Sequence, residues 1–267
     1  KKIYDLAVKT GSPVVGIYDS IGGRLNQGAD MLAAYGEILL GNNNLSGVVP
    51  QISLVLGPCL GTSAMIAASA DIVVMTEKAQ LTIDTTGKDG AADDAAKLGI
   101  CHVVAKDDKE AMEQVRKLLA VLPSNNLAGA PVFESSDSAE AALAAGADAK
   151  KVVEAISDKG SFVELNSAFG TSAVTGLAQI DGSTVGIVAL NGVLDAASCS
   201  KAARFVRFCD AFSIPVVTLV DAKEFTSVRE AAKLSNAYSE ATTAKITVIT
   251  GEAYGPVYIA VAGRGAN

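Results

Sequence analysis

The chain has 267 residues, 49% of them apolar and 19% charged, with 22 basic against 29 acidic side chains, one His and no Trp. That composition excludes a disordered chain and allows a buried core in two modest domains. A net charge of −7 without any dense Lys/Arg run excludes an extended nucleic-acid backbone as partner. A single histidine excludes a His-rich metal site, so no metal is expected. No apolar run reaches the ~18 residues of a transmembrane helix and no signal peptide is visible, which points to a cytoplasmic chain. The first residue is Lys1 rather than Met, so part of a longer chain is expected.

Residues 2–10 have helical character, and 13–18 (PVVGIY) read as a short strand. Helical spacing of Leu32, Tyr35 and Leu39 predicts a helix over 29–40. A buried strand is predicted at 51–56 (QISLVL), a helix of small residues at 62–70, and strands at 72–75 and 81–83. Cys101 and His102 are adjacent within 99–104 (GICHVV), which reads as a buried strand. Neighbours on a strand point to opposite faces, so the two are not expected to pair as a catalytic couple. The four cysteines, Cys59, Cys101, Cys199 and Cys209, form no C-x-x-C pair and read as reduced and buried. Asp107 and Glu110 have capping-box spacing and open a helix through 119, with Met112, Val115 and Leu119 on its inner face.

The stretch 123–147, rich in Pro, Asn, Ser, Gly and Ala, breaks the pattern and is the predicted linker between a domain at 1–122 and one at 148–267. Past it come a helix at 148–157, a strand at 162–165 and two β runs flanking Asp181-Gly182, a strong hairpin signal. A helix at 201–212 turning Phe205, Phe208 and Phe212 inward, a strand at 215–220, a helix at 228–240 and a strand at 245–250 complete the series. Alternating strands and helices predict a layered α/β fold.

The halves repeat each other. Residues 12–19 (SPVVGIYD) match 214–221 (IPVVTLVD) at an offset of 202, and 53–57 (SLVLG) match 247–251 (TVITG) at an offset of 194. The second copy is therefore 8 residues shorter between these two strands. Each copy reads helix, strand ending in Asp, loop, helix, strand ending in Gly, then a glycine-bearing turn into a helix. Internal duplication of one α/β unit accounts for this order.

The two turns are 57–63 (GPCLGTS) and 251–257 (GEAYGPV). A helix start presents unpaired N–H groups and the positive end of the dipole, and two such donors aimed at one point form an oxyanion hole. The same turns also serve as ordinary connections. The loop 19–28 (DSIGGRLNQG) likewise follows a strand and precedes a helix. It can cradle a phosphate or shape an acyl pocket, with Gly22, Gly23, Arg24 and Gly28 as candidate substrate-binding residues. It is not G-x-G-x-x-G, and 87–90 (GKDG) lacks P-loop spacing.

Taken together, 19–28 (DSIGGRLNQG), 35–38 (YGEI), 46–53 (SGVVPQIS), 57–59 (GPC), 200–221 (SKAARFVRFCDAFSIPVVTLVD) and 240–255 (EATTAKITVITGEAYG) resemble the carboxyltransferase subunits of biotin-dependent acyl-CoA carboxylases and decarboxylases, over nearly the whole chain except the linker. The resemblance implies two crotonase-like ββα-spiral domains related by internal duplication, the N-terminal one binding acyl-CoA and the C-terminal one receiving biotin. It implies carboxyl transfer between carboxybiotin and the α-carbon of a short acyl-CoA thioester, of the propionyl/methylmalonyl or acetyl/malonyl class, with no side-chain histidine required. Biotin arrives on a separate carrier, so the implied partners are acyl-CoA, a biotin carboxyl carrier protein and further carboxyltransferase subunits. A decarboxylase complex would add a membrane subunit, with this chain peripheral to the membrane.

Carried onto this sequence, the first oxyanion hole falls on Gly61 and Thr62, where the family usually has Gly-Gly. The second falls on Pro256 and Val257 after Gly255, where the family usually reads Gly-Gly-Ala. Proline has no N–H, so one expected donor is missing. Ile259 stands where the family often has Asp, and Ala222-Lys223-Glu224-Phe225 replaces a Pro-Gly-Phe loop. These departures suggest one of two paralogous subunits, the other carrying intact Gly-Gly motifs. The alternative is a non-catalytic paralog that assembles with an active carboxyltransferase subunit. Other crotonase-fold chemistries fare worse: a hydratase needs paired carboxylates that neither turn offers, and a peptidase must join Ser63 to the lone His102.

Overall fold

The apolar runs read as strands form the centres of two sheets, one in each compact unit, residues 1–128 and 129–267. The computed structural model describes residues 2–135 and 148–266, apart from the Leu25 side chain. The last part of the predicted linker, 136–147, lies outside the described residues.

In the first unit, helix α1 (Lys2–Thr10) leads into strand β1 (Val14–Ser20), and a 3₁₀ turn (Leu25–Gln27) into helix α2 (Gly28–Asn44). Strand β2 (Gln51–Leu60), helix α3 (Thr62–Ala68), strands β3 (Ile72–Thr76) and β4 (Gln80–Thr82), helix α4 (Ala92–Lys97), strand β5 (Val103–Ala105) and helix α5 (Asp108–Val121) follow. The strands lie in the order β1-β2-β3-β5, all parallel, with β4 pairing the far end of β2. β3 is buried along its whole length, as a parallel strand covered on both faces must be. Val55, Val73, Met75, Leu81 and a set of small alanines fill the core beneath.

In the second unit, helix α6 (Ala149–Ile156) and strand β6 (Val163–Leu165) precede a hairpin of β7 (Ala173–Ile180) and β8 (Ser183–Leu194). Asp181 (φ 50) and Gly182 (φ 73) make its two-residue turn. The Asp158 carboxylate braces that turn, accepting both N–H groups at 3.1 and 2.8 Å. Helix α7 (Ala196–Ala211), strand β9 (Val216–Phe225), helix α8 (Val228–Glu240), strand β10 (Lys245–Ala253) and helix α9 (Gly255–Val261) complete the unit. The sheet order is β10-β9-β8-β7-β6. β8, β9 and β10 run parallel, while β6 and β7 are antiparallel additions.

The repeat is visible in the registers. Val14 pairs with Gln51, and its counterpart Val216 pairs with Lys245, at separations of 37 and 29 residues. The difference is the same eight residues that the sequence offsets give. Each ladder then breaks at the same place. From Tyr18↔Val55 to Ser20↔Cys59, β1 advances two residues and β2 four; Val220↔Ile249 to Ala222↔Ala253 repeats this in β9 and β10. At each break an aspartate lies over a glycine. A Cβ on Gly57 would run into Asp19 Oδ1, and one on Gly251 into Asp221 Oδ1. Glycine is required here because of this close approach.

Several elements differ from expectation. β2 runs on through Gly57-Pro58-Cys59, and β10 through Gly251-Glu252-Ala253, because the breaks absorb these residues without ending the strands. Cys101 and His102 precede β5 rather than lying on it, since the amides of Ile100 and Cys101 both close onto Ala95 O. The α5 helix has the expected cap, with Asp107 accepting Glu110 N–H at 2.9 Å and Glu110 reaching back to Lys106 N–H. Its inner face is Ala111, Val115 and Leu118, with Met112 exposed, because small Ala111 permits close approach to the sheet. α7 begins at Ala196, where Asp195 caps Ser198 N–H at 2.8 Å, and Phe208 is only half-buried. α4 carries no long apolar stripe and was not expected.

Gly251→Ala is expected to lower the unfolding free energy by about 1–3 kcal/mol through overpacking against Asp221. In urea denaturation, combining it with Asp221→Ala should cost less than the sum of the two single changes.

Candidate functional site

β1 ends at Ser20, whose hydroxyl oxygen accepts the Gly22 N–H at 3.2 Å and turns the chain away from the sheet. Gly22 (φ 113) lies against the end of β2, its Cβ position 3.8 Å from Leu60 O. Gly22, Gly23 and Arg24 then line one cavity of about 720 Å³ with Asn26, Asp30 and Tyr35 of the 3₁₀ turn and α2. A Cβ on Gly23 would strike Met31 and Tyr35, so this wall of the cavity needs glycine. Three of the four predicted substrate-binding residues therefore share one cleft. The fourth, Gly28, starts α2 with open space around its Cα and is not among the residues lining it.

Gly61 (φ 64, ψ −134) makes the turn between β2 and α3. Its N–H donates to Thr82 O at 3.0 Å, extending the β2–β4 ladder by one step. Gly61, expected from sequence as a donor, makes the bend, and its N–H is engaged by Thr82 O. The next two amides, of Thr62 and Ser63, open α3 and have no hydrogen-bond partner among the described residues. Thr62 is exposed, and the available pair of donors is Thr62 and Ser63. The Ser63 hydroxyl is buried and donates to Leu60 O at 2.7 Å.

The second turn has the same path and fewer donors. Tyr254 caps α9, and Gly255 (φ 42) opens it. Pro256 has no N–H, and Val257 N–H donates back to Tyr254 O at 2.9 Å. Val257, expected as a donor, is thus consumed within the turn, and its side chain is fully buried. Of positions 255–257, Gly255 keeps an N–H without a partner among the described residues. Beside this turn lies a second cavity of about 540 Å³, walled by Phe225, Val228, Ala232, Pro256, Ile259 and Ala260, with Lys223 at its rim. It lies between the end of β9, α8 and α9, whereas the Arg24 cleft lies between the loop after β1 and α2. The Arg24 cleft has the more polar lining, and the second cavity is largely apolar.

The sulfur and imidazole groups serve the core. His102 is buried, its Nδ1 accepting Val73 N–H at 3.0 Å while its backbone N–H donates to Val73 O at 2.8 Å. Cys101 Sγ donates to Val103 O at 3.2 Å. Burial pushes the Cys101 thiol up to about 12 and Cys59 to about 11. The Cys101 thiol and the Ser63 hydroxyl both donate to backbone carbonyls. Asp19 and Asp221, over their glycines, were legible only as matching letters in the repeat. The trio of Lys223, Glu252 and Tyr254 had no sequence signal, since it joins β9 to β10 and the residue that follows. Among the described residues no group of three His, Cys, Asp or Glu is placed to hold a metal ion, and no helix is long and apolar enough to cross a membrane.

Because both thiols stay protonated well above pH 8, Cys59 and Cys101 should resist iodoacetamide at pH 8 in the native protein. All four cysteines should be alkylated after unfolding in guanidinium, as mass spectrometry of the two samples would record.

A family model described as the carboxyl transferase domain matches residues 1–267. The chain is 39% identical to the propionyl-CoA carboxylase beta chain of Saccharopolyspora erythraea, over 96% of this chain and 56% of that one. It is 37% identical to the methylmalonyl-CoA decarboxylase subunit alpha of Veillonella parvula, over 97% and 59%. Among solved structures it superposes on the transcarboxylase 12S hexamer determined with hydrolysed methylmalonyl-coenzyme A bound, with a TM-score of 0.89 and 37% identity, covering 97% of this chain and 59% of that one. The chain thus spans somewhat over half the length of these relatives.

Proposed function

The chain belongs to the carboxyl transferase domain family, with its crotonase-like α/β fold, and on that premise we propose that it moves a carboxyl group between carboxybiotin and a short acyl-CoA. The match of the family model over the whole chain carries this reading. The relatives named above are enzyme subunits acting on propionyl-CoA or methylmalonyl-CoA, and these acyl-CoA esters are the proposed substrates. This does not favour the reading of a purely structural paralog.

In this proposal the N-terminal unit takes the acyl-CoA. Arg24 offers a cation to a phosphate or carboxylate in a cleft whose glycines let the ligand approach the backbone. The Thr62 and Ser63 amides face the thioester oxygen and stabilise the charge that gathers there as the α-carbon becomes an enolate. The β-branched Thr62 side chain narrows this approach. Biotin is a substrate delivered on a separate carrier protein, and the C-terminal unit receives it. The apolar cavity beside Pro256 suits its ring system, and Gly255 supplies one amide to the ureido oxygen. The lining fits the ring better than the donor set fits the oxygen. Assembly with further copies or with a paralogous carboxyltransferase subunit belongs to the proposal, as does a cytoplasmic site of action, with a membrane decarboxylase subunit as partner if the reaction runs toward decarboxylation.

The test is carboxyl transfer from methylmalonyl-CoA or to propionyl-CoA in the presence of a biotinylated carrier; no transfer with either would sink the proposal. Thr62→Pro removes one N–H at a helix position that tolerates proline. It should lower kcat about 10²–10³-fold, the effect of losing one oxyanion donor. Arg24→Ala should instead raise KM for acyl-CoA about tenfold, as expected for one lost charge-assisted hydrogen bond.

A further inference from the structure

The second turn retains one amide where two are expected, yet a cation stands beside it. β8 and β9 pair Gly192 with Ala222 and then Val193 with Glu224, so Lys223 opposes no residue. It is the extra residue of a β-bulge, a feature that re-aims a side chain. Here it aims Lys223 at the rim of the cavity that also contains Pro256. Glu252 lies on the neighbouring strand, where its own amide is held by Asp221 Oδ1 at 2.8 Å. Its carboxylate takes Lys223 Nζ at 2.9 Å on one oxygen and the Tyr254 hydroxyl at 3.0 Å on the other. A single ion pair at this exposure adds little stability. What it does is orient the ammonium, with two of its three protons without a partner among the described residues.

We propose that Lys223 takes the place of the missing amide: its ammonium binds the oxygen on which negative charge develops in the ligand seated against Phe225, Pro256 and Ile259. This rests on the carboxyltransferase reading and makes that oxygen the ureido oxygen of biotin. Lys223 is the catalytic residue of the second site, and Glu252 is a positioning residue that acts through it. Tyr254 anchors the second oxygen of Glu252. The sequence departures at the two positions are then one change: loss of an N–H at Pro256 and gain of a cation at Lys223. Glu252, with smaller contributions from Tyr254 and Asp221, holds Lys223 above the usual lysine range, so the ammonium persists through neutral pH.

The experiment compares Lys223→Met, Lys223→Arg, Glu252→Gln and the double variant Lys223→Met/Pro256→Gly. Each is assayed for carboxyl transfer and, separately, for equilibrium binding of biocytin. Lys223→Met should lower kcat at least tenfold and weaken biocytin binding, with KM for acyl-CoA unchanged. Lys223→Arg should recover most of both. Restoring an amide with Pro256→Gly should recover part of the loss in the Lys223→Met background. Glu252→Gln should move the alkaline limb of the rate profile to lower pH, which a merely structural role does not do. Wild-type kcat and wild-type biocytin affinity in Lys223→Met would overturn the proposal. If the wild-type protein transfers no carboxyl group but Lys223→Met still weakens biocytin binding, the reaction assignment fails while the ligand contact stands.

Discussion

Where β1 meets β2, and again where β9 meets β10, the aspartate closing the first strand sits over a glycine of the second, and the ladder slips by two residues. Both glycine-bearing turns lie just past that slip. The extra residues let the second strand continue past the bulge and deliver a glycine-bearing turn beyond the sheet. The turn opens a short helix whose first amides have no carbonyl to bond. The same slip sends the first strand's loop outward, and the loop and the next helix enclose a cavity. A side chain larger than hydrogen at Gly57 or Gly251 would collide with the carboxylate, so the geometry depends on that contact.

On this common frame the two units diverge through what lies next to the turn. In the first, β4 pairs with the end of β2 and takes the Gly61 N–H, which leaves the Thr62 and Ser63 amides as the open pair. In the second, a proline and a tight Val257-to-Tyr254 bond remove two of three amides. The cavity chemistry diverges in parallel. Arg24, Asn26 and Asp30 make one cleft the more polar, whereas Phe225, Val228 and Ile259 make the other largely apolar, with a lysine in its lining. One duplicated scaffold thus presents two cavities of different lining, each in its own unit.

Strong local signals translated directly into structure. Asp181-Gly182 forms the two-residue turn that its φ > 0 demand predicts, Asp107 and Glu110 cap α5, and the apolar run 72–75 is a buried parallel strand. The offset arithmetic of the repeat reappeared as strand register. Element ends were less legible. Pro58 and Glu252 look like turn residues, yet they lie within strands because a bulge accommodates them. The inner face of α5 shifted to Ala111 and Leu118 because small alanines, not the largest apolar side chains, set how closely a helix approaches a sheet.

By itself the sequence determined the α/β class, the duplication, the cleft residues Gly22, Gly23 and Arg24, and the absence of one donor at Pro256. These follow from periodicity, self-similarity and covalent chemistry, all of which are local. Tertiary structure decided which amides are open and what stands beside them. Whether Gly61 N–H is a donor depends on Thr82, and whether Lys223 faces the second cavity depends on a bulge against Gly192 and on Glu252 one strand away. A hydrogen bond is satisfied by a partner in space, and sequence spacing does not fix which partner arrives first.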